Sequence, residues 1–408
     1  MGKRVAIPLI AGAAGLCSSL AWGQSALPDG PGKTIVQTTC ARCHGLGQVT
    51  RSGYDRAGWQ NVVTMMRNTG ATLPTDQVAV VVDYLAAHFP PKDAPAAVVI
   101  PGEVKVAIKE WKVPTPGSRP HDPLAAPDGS IWYTGQMANV LGRLDPATGT
   151  FKEYRIPLAE SGPHGLVADT AGNVWFTANF KGYVGKLDPR TGGFTEYHLA
   201  DPAARDPHTP IFAPDGTLWF TLQGANMIGR LVPRTGEMRL VTLPRPHAQP
   251  YGIVVDSHGT PYFAEFGANK LGSIDPRTLA IREYTLPNPE ARPRRIAITS
   301  DDVLWYSDYA RGYLGRYDPR TGEAREWPSP GGPNARPYGI TAARGAIWYS
   351  ESGVRPNTLV RFDPKSARFQ TWTIPSGGGV VRNMMPTREG NLVLACSGED
   401  TIALVVIE

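Results

Sequence analysis

Seven times the chain returns to the same short apolar strand, at intervals of 43, 44, 43, 43, 43 and 45 residues. The equivalent positions are Trp132, Trp175, Trp219, Tyr262, Trp305, Trp348 and Val393. Each sits in a run such as Ile131-Trp132-Tyr133-Thr134 or Val174-Trp175-Phe176-Thr177. Turn residues precede most of them, as in Pro127-Asp128-Gly129 and Pro214-Asp215-Gly216. A second strand follows (Leu141-Gly142-Arg143-Leu144), then a turn such as Asp188-Pro189-Arg190-Thr191-Gly192, then a last strand carrying Glu196-Tyr197 or Glu283-Tyr284. A period near 43 with four short strands per unit predicts a β-propeller. One four-stranded sheet cannot bury both its faces, so the units stack around an axis. The 45 glycines and 39 prolines are spread along the chain in these turns rather than gathered in one tract, which favours many short strands over long helices.

The ends supply a closure rule. The seventh unit stops at its third strand, Thr401 to Ile407, and the missing fourth appears before the first unit as Ile108-Lys109-Glu110-Trp111-Lys112-Val113-Pro114. The same text recurs as Phe151-Lys152-Glu153-Tyr154-Arg155-Ile156-Pro157. The N-terminal strand is therefore expected to complete the last blade and remove its open edge. The expectation is an all-β seven-bladed propeller over residues 104–408.

Two positions vary between repeats in a way a scaffold does not need. Just before the innermost strand stand His121, His164, His208, Tyr251, Arg294, Tyr338 and Arg382. Three residues after the repeated Trp stand Gly135, Ala178, Leu222, Glu265, Asp308, Glu351 and Cys396. Antiparallel pairing brings the start of one strand beside the end of the next, so both sets are expected at one mouth of the channel. Three histidines and three carboxylates there suit general acid–base chemistry or a metal; the alternative is a solvated polar rim. His121, His164, His208, Glu265, Asp308 and Glu351 are the catalytic candidates, and Tyr251, Arg294, Tyr338 and Arg382 the ligand-binding ones. Cys396 reads as a buried thiol.

The repeat text, P-x-G-I then D-G-x-I-W-F-T then I-G-R-L-D-P-x-T-G then E-Y-x-L-P, resembles the virginiamycin B lyase (streptogramin lyase) family over residues 104–408. That resemblance implies elimination-type opening of a cyclic depsipeptide, with a His as base assisted by Glu residues and Mg²⁺ at the mouth. It also implies the His before a strand and the Glu closing the next strand of the same unit. Here His164 meets Ala178, while Glu265 and Glu351 meet Tyr251 and Tyr338. No unit carries the pair, so lyase chemistry would need a His and an acid from different blades.

The N-terminal quarter reads differently. Met1-Gly2-Lys3-Arg4, an apolar run from Val5, and small residues at Ala21 and Gly23 have the order of a secretory signal peptide over residues 1–23. No later segment is apolar enough to span a bilayer, so a periplasmic protein is expected. Lys+Arg 41 against Asp+Glu 36 leaves a formal +5 with no run of one sign, which does not suggest nucleic acid. Four cysteines in 408 residues exclude a disulfide scaffold.

Cys40-Ala41-Arg42-Cys43-His44 has the C-x-x-C-H spacing of covalent c-type haem attachment. Two thiols on one turn can bond both vinyl groups, and the adjoining imidazole then reaches the iron. Helices are expected over residues 31–43, from Ala57 to Asn68 with Trp59, Val62, Val63 and Met66 on one face, and from Val78 to Phe89 after a Thr75-Asp76-Gln77 cap. Residues 27–90 thus resemble a small class I cytochrome c domain. The W-x6-M-x3-G pattern of that family, matched by Trp59, Met66 and Gly70, implies Met66 as second iron ligand, with Met65 the alternative. The Pro/Ala-rich stretch 91–103 reads as a linker.

The fold expected is multidomain, a small all-α domain followed by an all-β propeller. The function expected is haem c electron transfer, with the propeller mouth binding a small-molecule substrate or a periplasmic redox partner. The alternative is a lyase or hydrolase acting at the mouth with the haem domain as accessory. A pure binding module is a third reading.

Overall fold

The computed structural model describes residues 27–42, 46–68 and 70–408. Four α-helices come first: α1 Lys33–Thr39, α2 Gly47–Arg51, α3 Arg56–Asn68 and α4 Thr75–His88. A short 3-10 turn, Cys40–Arg42, follows α1. The apolar residues recur at helical spacing, and they meet in one core of Val36, Leu46, Val49, Trp59, Val63, Leu73, Val78, Val81, Val82 and Leu85. Two buried polar tips are satisfied by backbone: the Trp59 indole donates to the Phe89 carbonyl at 2.8 Å, and the Tyr84 hydroxyl to the Pro28 carbonyl at 2.6 Å.

Three expectations shift here. α4 starts at Thr75, three residues earlier than read, with Pro74 in the capping position and no side-chain cap. Proline cannot donate and suits a helix start, and Asp76 in the first turn complements the dipole. The short helix α2 has too few apolar residues to show a period. The stretch 91–103, read as a linker, is in part bound to the propeller. The Ala97 amide donates to the Arg355 carbonyl of blade 6 and the Arg355 amide to the Pro95 carbonyl, and the Thr371 hydroxyl donates to the Val98 carbonyl and accepts from the Ile100 amide. Composition cannot reveal such an edge contact. The signal segment and Cys43 and His44 lie outside the described residues.

Seven four-stranded antiparallel sheets follow, six of them running inside to outside in chain order. Blade 1 is Pro120–Ala125, Ile131–Gly135, Val140–Asp145 and Thr150–Arg155. Blade 7 takes its outermost strand from the N-terminal side: Val106–Lys112 pairs with Thr401–Ile407 along its whole length, from Val106 opposite Ile407 to Lys112 opposite Thr401. The ring is closed by backbone hydrogen bonds between the two ends of the propeller.

The repeat text now has causes. Second strands are buried at every residue (Val174–Ala178, for example) because neighbouring blades cover both faces. The Trp of the second strand stacks with the aromatic of the fourth: Trp175 with Tyr197 at 5.3 Å and 23°, Trp348 with Trp372 at 5.6 Å and 20°. The glycine of I-G-R sits opposite the aromatic after the Trp, as Gly185 opposite Phe176, and a Cβ there would overlap that ring. In D-P-R-T-G, Asp188 accepts from the Arg190 amide at 2.9 Å, and Gly192 takes φ 76°, where glycine is at home.

The hydroxyl that ends W-F-T joins one blade to the next. Thr177 Oγ1 accepts from the Gly165 amide at 2.9 Å within its own blade and donates to the His208 carbonyl of the next at 2.6 Å. Thr134 does the same for Asp122 and His164, Thr221 for Thr209 and Tyr251, and Ser307 for Arg295 and Tyr338. Thr177→Val keeps the shape but leaves a buried N–H and a buried C=O unpaired, which costs about 2–4 kcal/mol. Urea denaturation should show that loss for Thr177→Val and little loss for Thr177→Ser; a valine variant as stable as the parent would remove the joint from the account.

Candidate functional site

In six blades the pairing of the innermost strand skips two residues just after a proline. Pro163 pairs with Ala178 but the next pair is Leu166 with Phe176, and the same break follows Pro120, Pro207, Pro250, Pro293 and Pro337. Blade 7 breaks at Arg382, between Val381 and Asn383. Such a bulge takes residues out of the ladder and re-aims their side chains. Proline tolerates its edge because it has no N–H to lose.

The first residues released are the predicted series His121, His164, His208, Tyr251, Arg294, Tyr338 and Arg382, and six of them are in mutual contact. The rings of His121 and His164 lie 3.6 Å apart, His164 and His208 3.7 Å, and His208 and Tyr251 4.0 Å. The hydroxyls of Tyr251 and Tyr338 are 2.5 Å apart. The Arg294 guanidinium lies 3.9 Å from the Tyr338 ring centre and 4.8 Å from that of Tyr251, and donates to the Tyr251 hydroxyl at 3.2 Å. Phe266 and Tyr309 complete its aromatic cage.

Asp122 and Arg295, one residue further along their strands, were not singled out in the sequence. They pair across the channel from blades 1 and 5 at 2.7 Å, both buried. Asp122 also meets His121 Nδ1 at 2.9 Å. A signal was present: this position is Gly165, Gly252 and Gly339 in three repeats but Asp122, Thr209, Arg295 and Asn383 in the others. Departure from glycine at a crowded axis marks a side chain placed there. Beyond this layer the channel holds a cavity of about 140 Å³ lined by Asp122, Thr209, Arg295, Asn383, Met384 and apolar neighbours.

The charge of the mouth is one-sided. Arg119, Arg294 and Arg382 have no carboxylate within ion-pair distance among the described residues, while Arg295 has Asp122. Burial, with Arg382, Arg295 and other charged neighbours, holds His121 well below its usual pKa. Burial also lowers His164 and His208, reinforced by their neighbouring imidazoles. All three are neutral at pH 7. Burial raises Tyr251. Burial alone would raise Tyr338 too, but Arg294, Arg382 and Arg295 outweigh it and bring the phenol down to about 8.

The three carboxylates do not join the ring. Their register partners are Pro250, Pro293 and Pro337, at the same end of the blades, yet the Asp308 and Glu351 side chains bond to the loops that enter blades 5 and 6. Glu351 accepts from the Ser329 hydroxyl, the Gly331 amide and the Thr358 hydroxyl. Asp308 accepts from the Arg292 amide and ion-pairs with Arg311 at 3.3 Å. Both Glu265 oxygens are buried without a hydrogen-bond partner; burial and then Glu283 push its carboxyl up to about 8. Cys396 is fully buried in blade 7, and burial pushes its thiol up to about 12.

His121, Asp122 and His164 bring ligand atoms within 4.8 Å of one another. Two imidazoles and a carboxylate suit a transition metal better than Mg²⁺, and Asp122 is already committed to Arg295. With three further guanidiniums at the mouth, the set does not fit a divalent cation. For haem, Cys40 packs half-buried against the helical core, and α3 carries Met65 and Met66, both half-buried. Among the described residues these are the donors that the haem expectation names, and its other two, Cys43 and His44, lie outside them. The helices sit over the mouth: Arg119 reaches Met65 Sδ at 3.7 Å, and a cleft of about 220 Å³ lies between Asn68 and Gly70 and the propeller residues Asn179–Gly182 and Ala204–Asp206.

The virginiamycin B lyase family model matches residues 99–352, more than half of the chain. A solved streptogramin B lyase is 29% identical with a TM-score of 0.68, covering 74% of this chain and 98% of that one. The virginiamycin B lyase of Staphylococcus aureus is 26% identical with a TM-score of 0.67, covering 74% and 99%. A catalytically inactive variant of the same enzyme, solved with quinupristin, aligns equally well. No curated protein matches the chain.

Glu265 sets a pH test. The native chain holds a proton that the unfolded chain releases above about 4.5, so the stability from the neutral carboxyl is present below that pH and is lost as pH rises through about 8. Glu265→Gln should remove this decline, worth on the order of a few kcal/mol. Melting temperatures measured from pH 5 to 8 should therefore fall for the parent and stay flatter for the variant; parallel curves would contradict the assignment.

Proposed function

The chain belongs to the virginiamycin B lyase family, and from that premise we propose that it is a lyase-type enzyme that opens a small molecule by elimination at the channel mouth, with Tyr338 as base. The observation that carries this is the Tyr251–Tyr338 pair, hydroxyls 2.5 Å apart under the Arg294 guanidinium. Two like groups whose environments push their pKa values apart divide into an acid and a base. Arg294, Arg382 and Arg295 draw Tyr338 down while burial raises Tyr251, so we assign Tyr338 as the base and Tyr251 as the acid.

In the reaction, the Tyr338 phenolate takes a proton from a carbon next to a carbonyl. The electron pair forms a carbon–carbon double bond as the neighbouring carbon–oxygen bond breaks, and Tyr251 supplies the proton to the leaving oxygen. The Arg294 and Arg382 guanidiniums offset the negative charge that develops on the carbonyl oxygen. The neutral histidine stack forms a wall of the site and provides no cation that would compete with them. This division of labour replaces the family's His/Glu pair, which no repeat carries.

A second reading rests on the C-x-x-C-H run of Cys40, Cys43 and His44. The helical segment is then a c-type cytochrome domain exported by the N-terminal signal to the periplasm, with Met66, or Met65, as the other iron ligand. Haem c would supply one-electron transfer. Arg119, in contact with Met65, would put its charge beside the haem domain and tie it to the propeller mouth. Export with covalent haem, seen as a c-type visible spectrum and a matching mass, would support this reading; exported protein without haem would end it.

Quinupristin, the ligand in the related structure, is the first compound to assay. Elimination leaves the mass of the opened product unchanged, whereas hydrolysis adds one water, so mass spectrometry separates the two. Turnover should rise with pH through about 8 as Tyr338 ionises, and Tyr338→Phe should lower kcat by about 10²–10⁴ with the fold intact. A folded phenylalanine variant with unchanged kcat would overturn the assignment of the base.

A further inference from the structure

We propose that the mouth is a binding site for a carboxylate or comparable oxyanion, held by Arg119, Arg294 and Arg382, so that the molecule acted on carries a negative charge. The proposal rests on the reading of the mouth as the reacting site and names the class of ligand it selects.

Charge balance is the first argument. Three guanidiniums converge from the segment entering blade 1, from blade 5 and from blade 7, with no carboxylate partner among the described residues, whereas the fourth, Arg295, is neutralised by Asp122 at 2.7 Å. Keeping like charges together in a half-buried site is costly unless an opposite charge joins them. The obvious local acids are committed elsewhere. Asp400 accepts from the Gly117 and Arg119 amides, and Glu351 and Asp308 serve the loops.

Unused hydrogen-bonding capacity is the second. The Nε atoms of Arg294 and Arg382 are buried with no partner. Arginine is the side chain whose planar fork matches a carboxylate. The Arg294 cage of Tyr251, Phe266, Tyr309 and Tyr338 holds the guanidinium plane by cation–π contact, which leaves its edge to bind a ligand. A cage of this kind orients the arginine but cannot cancel its charge.

The third argument is what the site rejects. A divalent cation would have to displace Arg295 from Asp122 and approach the other three guanidiniums. The histidines cannot serve as anion-binding cations, because burial and the arginines hold them neutral. Attraction at the mouth is therefore carried by arginine alone.

An anion placed here changes the one phenol that faces it. Tyr338 is held near 8 by Arg294, Arg382 and Arg295, against burial, with Tyr251 hydrogen-bonded to it and Tyr309 beside it; Arg119, which also interacts with Tyr338, and the neutral His121, His164 and His208 complete the titratable and charged groups of the mouth. A bound anion offsets those guanidiniums, so it must raise the Tyr338 pKa. By linkage, the anion must bind less tightly as pH rises through about 8.

Sulfate and malonate serve as probes with the full-length protein. Calorimetry at pH 6.5 and pH 9 should give binding that weakens at the higher pH, and adding malonate at pH 8 should lower the phenolate absorbance that Tyr338→Phe abolishes. Arg294→Gln and Arg382→Gln should each weaken malonate about tenfold, while Arg294→Lys, which keeps the charge, recovers part of it; circular dichroism verifies each fold. Malonate should also inhibit turnover of a charged substrate competitively. No binding to the folded parent, or binding indifferent to both glutamine variants, would overturn the anion site. Turnover of quinupristin unaffected by malonate would overturn it while leaving the lyase reading in place. Malonate binding with turnover unchanged in Tyr338→Phe would do the reverse.

Discussion

The bulge at the start of each innermost strand, and the hydroxyl that holds it, is the constraint on which the site depends. A regular ladder would alternate side chains between the two faces of each blade, and both faces are covered by neighbours. Only by leaving the ladder can a side chain reach the axis. The departure strands a backbone N–H in one blade and a C=O in the next, and one Thr or Ser hydroxyl satisfies both. The same atom thus presents the functional residue and fixes the spacing between blades. Blades 4 and 7 carry Ala264 and Ala395 at this place; in blade 7, Ser397 reaches the Pro120 carbonyl instead.

Charge decides what the exposed ring can do. The family resemblance leads one to expect a cation site, with a base and acids around a metal. The geometry here supplies one buried acid at the axis, already paired, against four guanidiniums. Coulomb energies at partly buried sites are several kcal/mol per contact, so this imbalance outweighs the ligand-like spacing of His121, Asp122 and His164. The same imbalance draws the Tyr338 phenol down against burial, while burial raises Tyr251, and the base and acid we propose rest on that difference.

The two halves of the chain are less separate than their compositions suggest. Segment 95–104 runs along the outer edge of blade 6 before entering blade 7, through bonds to Arg355, Thr371 and Gln370. The helices reach the mouth through Met65 and Arg119. The helical segment is therefore held next to the ring rather than at the end of a free tether.

Much of this was legible in the residues. The period of 43, the seven units, the strand borrowed for closure and the ring series from His121 to Arg382 follow from sequence because each repeat solves the same local packing problem and its text records the solution. Gly185 records the Phe176 ring above it, and Thr177 records the joint. The sequence could not say that Asp308 and Glu351 meet loops and that Glu265 is buried without a partner while the ring residues meet one another, because strand position specifies the end of a blade but not the direction of a side chain. Nor could it pair Asp122 with Arg295, which are 173 residues apart and lie in blades 1 and 5. Such pairs exist only once seven sheets converge on one axis, so the scaffold was determined by short-range pattern and the chemistry of the mouth by closure of the ring.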